Sequence, residues 1–364
     1  MKSTLLFWIT LCFVNLFGQI NEKPLFYSFS PKEGFLIAHR PNMTHLVREN
    51  SNSFEFAVWQ QLLDSNQVNC KRRLPLRGLS LEYRNFGYNE VLGQAVSSTA
   101  YMVYPLFQTK KSLFLDLTLG VGAGYLTKKY DKVENPLNNA IGSHWNGRVN
   151  LKLSLTKYYR NFHFGGGIEF MHFSNGSITT PNLGLNSPSI FFQVGYQNTQ
   201  RIGARSLDKS ACVKLPTNHR LGAELIVSAK EIGAIPFEAK RYPVIAARLS
   251  HTYSKFGFWG SELGLDIVHN EANFHKYHDT TFVRSDILQI GFYGGGYIRF
   301  NKTELAFGLG IYLRDPINAE GMVYNRIGYR YFFKENWFAV FTIKANAARA
   351  DYFEFGIGYH FLKR

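Results

Sequence analysis

The feature that most limits what this chain can become is a two-residue period that recurs from one end to the other. Leu113, Leu115, Leu117, Leu119, Val121, Ala123 and Tyr125 alternate with Phe114, Asp116, Thr118, Gly120, Gly122 and Gly124. Val149, Leu151, Leu153 and Leu155 alternate with Arg148, Asn150, Lys152 and Ser154. Leu305 to Leu313 repeats the pattern against Glu304, Ala306, Gly308, Gly310 and Tyr312, and Phe353 to Phe361 repeats it against Glu354, Gly356, Gly358 and His360. Side chains on a strand alternate between its two faces, so each run is a strand with one apolar face and one polar or small face. A soluble sandwich also alternates. Here the apolar face carries Leu, Ile, Val and Phe, with Tyr or Trp towards strand ends, while the other face carries charge and glycine. The chain also closes on an aromatic-rich strand. Apolar-out and polar-in alternation is the signature of a transmembrane antiparallel β-barrel. In hydrocarbon every backbone group needs a partner, so such strands must close on themselves.

The termini and composition fit that class. Residues 1–18 read as a signal peptide, with Lys2 ahead of an apolar run from Leu5 to Phe17 and then Gly18. Cys12 lies inside that run. No later stretch reaches the ~18 apolar residues a membrane helix needs. Cys70 and Cys212 remain after the leader, too few for a disulfide scaffold, and their pairing stays open. The formal net charge is +15. It serves solubility or a surface set among lipid phosphates; nucleic acid is a poor partner for an exported chain.

About sixteen strand segments can be counted. Eight run from roughly Gly34 to Tyr196, a charged, strand-poor linker spans residues 201–220, and about eight more reach the C-terminus. One large barrel is favoured over two eight-stranded halves, residues 19–200 and 221–364. Connections near Gln108–Lys110, Tyr159–Asn161, Asn301–Lys302 and Lys334–Asn336 are short; those at Lys128–His144, Asn175–Leu185 and Asn270–Phe282 are long. Long loops belong on the cell exterior. Leu63–Leu74 breaks the scheme, being long where a periplasmic turn is expected.

One long connection carries chemistry. HFSNGSITTPNLGLN, His172 to Asn186, follows a strand whose even positions are apolar. His172 and Ser174 continue that even face, and Asn186 shares the apolar parity of the next strand. The three should project together towards the membrane. A serine beside a histidine, with an amide to orient the ring, is a nucleophile, a base and an orienter. On a lipid-facing wall the scissile bond would belong to a lipid. The plainer reading is interfacial polarity beside a loop of ordinary turn residues.

His-x-Ser-Asn followed by Pro-Asn-x-Gly resembles the lipid A 3-O-deacylase family of outer-membrane β-barrel esterases, on His172, Ser174, Asn175, Pro181, Asn182 and Gly184. The resemblance covers roughly residues 31–200 and extends to the acyloxyacyl hydrolase branch, in which longer chains occur. It implies an outer-membrane serine esterase that removes an ester-linked acyl chain from lipid A, with lipopolysaccharide as its substrate and no cofactor or metal. Ser174 would be the nucleophile and His172 the base. The family places a glutamate third; this chain has Asn186, and a neutral amide stabilises the imidazolium less than a carboxylate does. A Ser-His-Asn set is similar to outer-membrane phospholipase A, which implies a phospholipid substrate and calcium, although no acidic ligand set lies near the motif. Asn175, Gly176 and Asn182 would then form the oxyanion hole. The non-enzyme alternative is a passive barrel or pore with a degenerate site.

Other signals are weaker. Gly120–Tyr125 and the glycine runs at 165–167 and 294–296 precede no helix, so lumen crowding and strand bending explain them better than a nucleotide loop. His269, His275, His278 and Asp279 fit no common metal spacing. The closing hairpin, Ile343–Phe361, resembles that of the family but has no His-x-Ser pair, and the second half reads as structural. Asn346 and Arg349 read as interfacial polarity.

Overall fold

The computed structural model describes residues 25–62, 74–109, 112–201, 218–232, 240–254, 259–276, 283–300, 302–318, 321–346 and 349–363. The segment read as a signal peptide, Cys70, Cys212, His278, Asp279 and nearly all of Leu63–Leu74 lie outside these.

Sixteen antiparallel strands are formed by the described residues, in two closed sheets. The first contains β1 (Leu25–Gly34), β2 (Ser51–Gln61), β3 (Leu76–Asn85), β4 (Gln94–Gln108), β5 (Leu113–Leu126), β6 (Trp145–Tyr159), β7 (Phe162–Ser174) and β8 (Leu185–Gln197). The second contains β9 (Asn218–Glu231), β10 (Arg241–Ser254), β11 (Trp259–Asn270), β12 (Leu288–Phe300), β13 (Thr303–Arg314), β14 (Val323–Phe332), β15 (Trp337–Asn346) and β16 (Arg349–Lys363). β8 returns to β1, with Phe26 opposite Gln197 and Gly34 opposite Ser189. β16 returns to β9, with Phe355 opposite Val227.

The expectation of one large barrel is therefore corrected to two of eight strands, and the lumens give the physical reason. An eight-stranded barrel is just wide enough for side chains to fill its interior. In the first barrel Lys32 Nζ sits 2.8, 2.6 and 2.6 Å from Glu55, Glu82 and Glu169, which come from three other strands. Arg148 reaches Glu82 at 2.7 Å, and Lys152 reaches Glu55 at 2.5 Å. In the second, Arg248 binds Glu224 and Asp266, Arg326 binds Asp266 and Glu354, and Arg330 binds Glu224 and Glu262. A sixteen-stranded wall would carry these cross-lumen partners apart. The three carboxylates in the first barrel are near enough together to suggest a metal site. The Lys32 ammonium already lies among them.

The outer walls have the opposite character. β6 exposes Leu151, Leu153 and Leu155 while burying Arg148, Asn150 and Lys152. Ile168, Phe170, Ile190 and Phe192 continue this wall, and Leu225, Leu249, Leu265, Leu309 and Ile357 form its counterpart on the second barrel. Trp145, Tyr159, Trp259 and Trp337 stand at strand ends. Apolar walls with aromatic ends around a charged interior suit strands that cross hydrocarbon. Lumen crowding accounts for Gly120, where a Cβ would lie 2.3 Å from the Tyr101 ring, and for Gly310, where it would lie 2.1 Å from the Tyr324 ring; at Gly165, Gly167 and Gly295 a Cβ would meet the backbone of the neighbouring strand instead.

Two boundaries differ from expectation. The first strand begins at Leu25 rather than near Gly34, which is its last residue. The linker is shorter than residues 201–220: Arg201 plugs the first lumen, bound to Asp116 at 2.6 and 2.8 Å, and residues 218–220 open β9. The short and long connections fall where the sequence places them, so the residue 127–144, 175–184 and 271–287 segments share one end. At that end of the first barrel, Leu36, Met43, Phe86, Leu92, Ile141, Met171, Phe173 and Leu185 form a buried apolar cap.

Candidate active site

Parity and register bring His172 and Asn186 together. They are directly paired across β7 and β8. Their strand neighbours Met171, Phe173 and Leu185 point the other way and are wholly buried in the apolar cap. Those anchors fix the two strands, and hence the direction of the two polar side chains. His172 Nδ1–H donates to Asn186 Oδ1 at 2.6 Å. An amide oxygen only accepts, so Nδ1 carries the proton and Nε2 keeps its lone pair.

The chain of contacts continues to a residue that sequence reasoning missed. Asn186 Nδ2 donates to His39 Nδ1 at 3.0 Å, and His39 Nε2–H donates to the Leu183 carbonyl at 3.0 Å. His39 thereby sets which end of the amide faces His172. It lies 147 residues from Asn186, in the segment after β1. No local motif marks it.

Ser174 ends β7 and is 2% exposed, so it does not project from a bare lipid-facing wall as its parity suggested. The chain leaves the strand here, and the loop folds back over it. Ser174 Oγ accepts from the Gly176 N–H at 3.1 Å and from Asn182 Nδ2 at 2.9 Å. Asn182 is aimed by the Asn175 N–H, which donates to its Oδ1 at 3.0 Å. The Asn175 side chain donates to Ser143 Oγ and Thr179 O, bracing the loop. Of the three residues expected as oxyanion donors, Gly176 and Asn182 point at Ser174 Oγ, whereas Asn175 orients Asn182. Gly176 has φ +59° and Gly184 has φ +81°, a region that favours glycine. A Cβ on Gly184 would lie 2.7 Å from His172 Cε1.

His172 and Ser174 are not hydrogen-bonded to each other, but both line one cleft of about 300 Å³. A catalytic hydrogen bond often tightens only when substrate is bound. His39, Arg40 and Asn182 line the cleft from the first barrel; Lys230, Glu231, Lys276 and Ala350 line it from the second. Asn346 is paired with position 349 between β15 and β16 and is not among the residues that line this cleft. His269 and His275 approach Glu271 at 3.3 and 3.6 Å.

With this geometry in view, the chain was compared with known proteins. The outer-membrane enzyme PagL is similar in structure at 15% identity, over 46% of this chain and 97% of that one, with a TM-score of 0.34. A variant of the Rhodopseudomonas blastica porin is similar at 11% identity, over 93% of this chain and 99% of that one, with a TM-score of 0.18. No curated protein matches the chain. Residues 65–196 match the model of the lipid A 3-O-deacylase (PagL) family, and residues 219–364 match that of the acyloxyacyl hydrolase C-terminal domain. The second match extends the kinship, which the sequence suggested only for the closing hairpin, to the whole C-terminal half. One model falls on each barrel, and on both the chain belongs to the lipid A 3-O-deacylase and acyloxyacyl hydrolase family, a family of hydrolases.

Proposed function

We propose that the protein is an outer-membrane serine esterase that hydrolyses an ester-linked acyl chain of lipid A, the 3-O-chain being the one its family name indicates. The observation that carries the reading is the convergence of His172, backed by Asn186 and His39, with Ser174 and its two donors on one cleft at the rim of a membrane wall. His172 Nε2 takes the Ser174 proton as Oγ attacks the ester carbonyl. The Gly176 N–H and Asn182 Nδ2 receive the charge that develops on the carbonyl oxygen. The tetrahedral intermediate collapses, the leaving alkoxide takes the proton from His172, and Ser174 is left acylated. Water, deprotonated by His172, then releases the fatty acid. Asn186 holds the tautomer, and His39 holds Asn186. The cleft end, which shares its side with the long loops, is assigned to the cell exterior.

The test is mass spectrometry of lipid A and phospholipids from cells making the wild type or Ser174→Ala. Loss of one hydroxyacyl chain from lipid A, only with Ser174 present, is the expected result. Lysophospholipid instead would favour the phospholipase reading, which the His172–Asn186 pair suits. No Ser174-dependent change, with the protein folded in the outer membrane, would leave a barrel without this activity.

Two further outcomes follow from the geometry. Gly184→Ala puts a methyl group against the His172 ring and strains a left-handed residue. It should lower kcat about ten-fold or more while KM stays nearly constant, because a misplaced base affects chemistry more than binding. His39→Ala frees the Asn186 amide to turn over and present Nδ2 to His172. Activity should fall about three- to ten-fold, the share of one neutral hydrogen bond, and His39→Phe should not restore it. A kcat within error of wild type for both would remove these residues from the scheme.

A further inference from the structure

The loop that carries Gly176 and Asn182 is held on its far side by the second barrel. The Glu231 N–H donates to Ser177 O at 3.0 Å, and the Thr180 hydroxyl donates to Glu231 Oε1 at 2.6 Å. Arg241 donates through Nε to Ile178 O at 2.8 Å and through Nη2 to Thr179 Oγ1 at 2.9 Å. The Ser177 hydroxyl donates to Ala350 O at 3.3 Å. Packing agrees with the polar contacts. Phe353 belongs to the outward parity of β16, yet it is 7% exposed whereas Phe355, two residues on, is 47% exposed. Its ring lies where a Cβ on Gly176 or Gly147 would go, at 2.5 and 2.7 Å. Both glycines belong to the first barrel, and Gly176 supplies an N–H to Ser174 Oγ.

These contacts meet the loop at Gly176, Ser177, Ile178, Thr179 and Thr180, five of the seven residues between the nucleophile and Asn182. A loop of this kind has no strand ladder of its own, so its position is set by whatever its backbone groups find. Here two of them, the Ser177 and Ile178 carbonyls, find the second barrel, and three side-chain hydroxyls join them. We infer that the second barrel is part of the catalytic apparatus: Arg241, Glu231 and Phe353 are positioning residues that place the Gly176 and Asn182 donors around Ser174. This rests on the reading of Ser174 as nucleophile. It replaces the view of the C-terminal half as a structural appendage.

The experiment uses the full chain in lipid nanodiscs, as wild type, Arg241→Ala, Arg241→Lys and Glu231→Gln. Two quantities are read: amide hydrogen exchange of residues 176–183, and kcat and KM for release of fatty acid from lipid A. Arg241→Ala removes two bonds at an exposed position, so the barrels should keep their thermal transition. Exchange in the loop should quicken about ten-fold, and kcat should fall about ten-fold with KM within about two-fold. Arg241→Lys, which keeps one donor, should recover part of both. A merely adhesive contact would change exchange without changing kcat, and that result overturns the inference. Exchange and kcat both within about two-fold of wild type in the Arg241 and Glu231 variants overturn it as well. If the wild type releases no fatty acid in a Ser174-dependent way, the reading of Ser174 falls first, and the positioning role falls with it.

Discussion

Ser174→Ala and His172→Ala are each expected to lower kcat for lipid A deacylation by about 10³-fold or more, and the double variant is expected to be no worse than the weaker single one. Nucleophile and base act as one unit: without the hydroxyl there is no proton for His172 to take, and without the imidazole the hydroxyl is a poor nucleophile. The losses therefore do not add. Activity left in all three would come from the Gly176 and Asn182 donors, which stabilise a developing oxyanion whoever attacks. The check is single-turnover release of fatty acid by purified protein, in all three variants side by side. Losses that multiply in the double variant would show that the two residues act independently, and would end the nucleophile–base assignment. Asn186→Glu adds a contrast. A carboxylate there would stabilise the imidazolium more than the amide does, so kcat should rise, provided His39 gains a proton at Nδ1, which now accepts from the Asn186 amide and would have to donate to a carboxylate.

Lys32→Met should destabilise the first barrel by about 3–5 kcal/mol, the usual cost of removing one partner from a buried ion cluster. Lys32 is buried, and its ammonium lies within 2.8 Å of each of three glutamates. Methionine fills similar volume but leaves those carboxylates facing one another. Arg84, Arg148 and Lys152 remain to pair with the three carboxylates, but none takes the place of the ammonium that touches all three. The measurement is the temperature at which the compact electrophoretic band converts to the unfolded one. Adding Glu82→Gln should not recover the loss, because Arg84 and Arg148 then lose the carboxylate they bind. A transition within a degree or two of wild type would mean that the cluster is solvated and contributes little.

The sequence made some of this plain and hid the rest, for physical reasons. Strands were legible because lipid and lumen make opposite demands on alternate residues, and runs such as Leu151 to Leu155 obey both. The site was legible because most of it lies within fifteen residues, where turn chemistry and parity act locally. Closure was not legible. Strands pair through backbone groups that every residue carries, so nothing in β8 says whether its free edge meets β1 or β9. Pro31 interrupts β1: it has no N–H to give, and the ladder with β8 skips Ser30 and Pro31. His39, Arg241 and Glu231 were invisible because each reaches the site through the tertiary fold alone.

Pairing β1 with β8 rather than with β16 also bears on how the chain is assembled. The widest strand pairing that closes the first barrel joins Phe26 to Gln197. A single sixteen-stranded cylinder would have to bring residue 25 to the neighbourhood of residue 363. Closing the shorter span costs less chain entropy and tends to be faster. The first cylinder can seal before the second has been threaded, so no half-built sheet with an open edge waits for the whole polypeptide. Such an edge invites pairing with another chain. Dividing the strands into two early closures shortens the time for which this protein carries one.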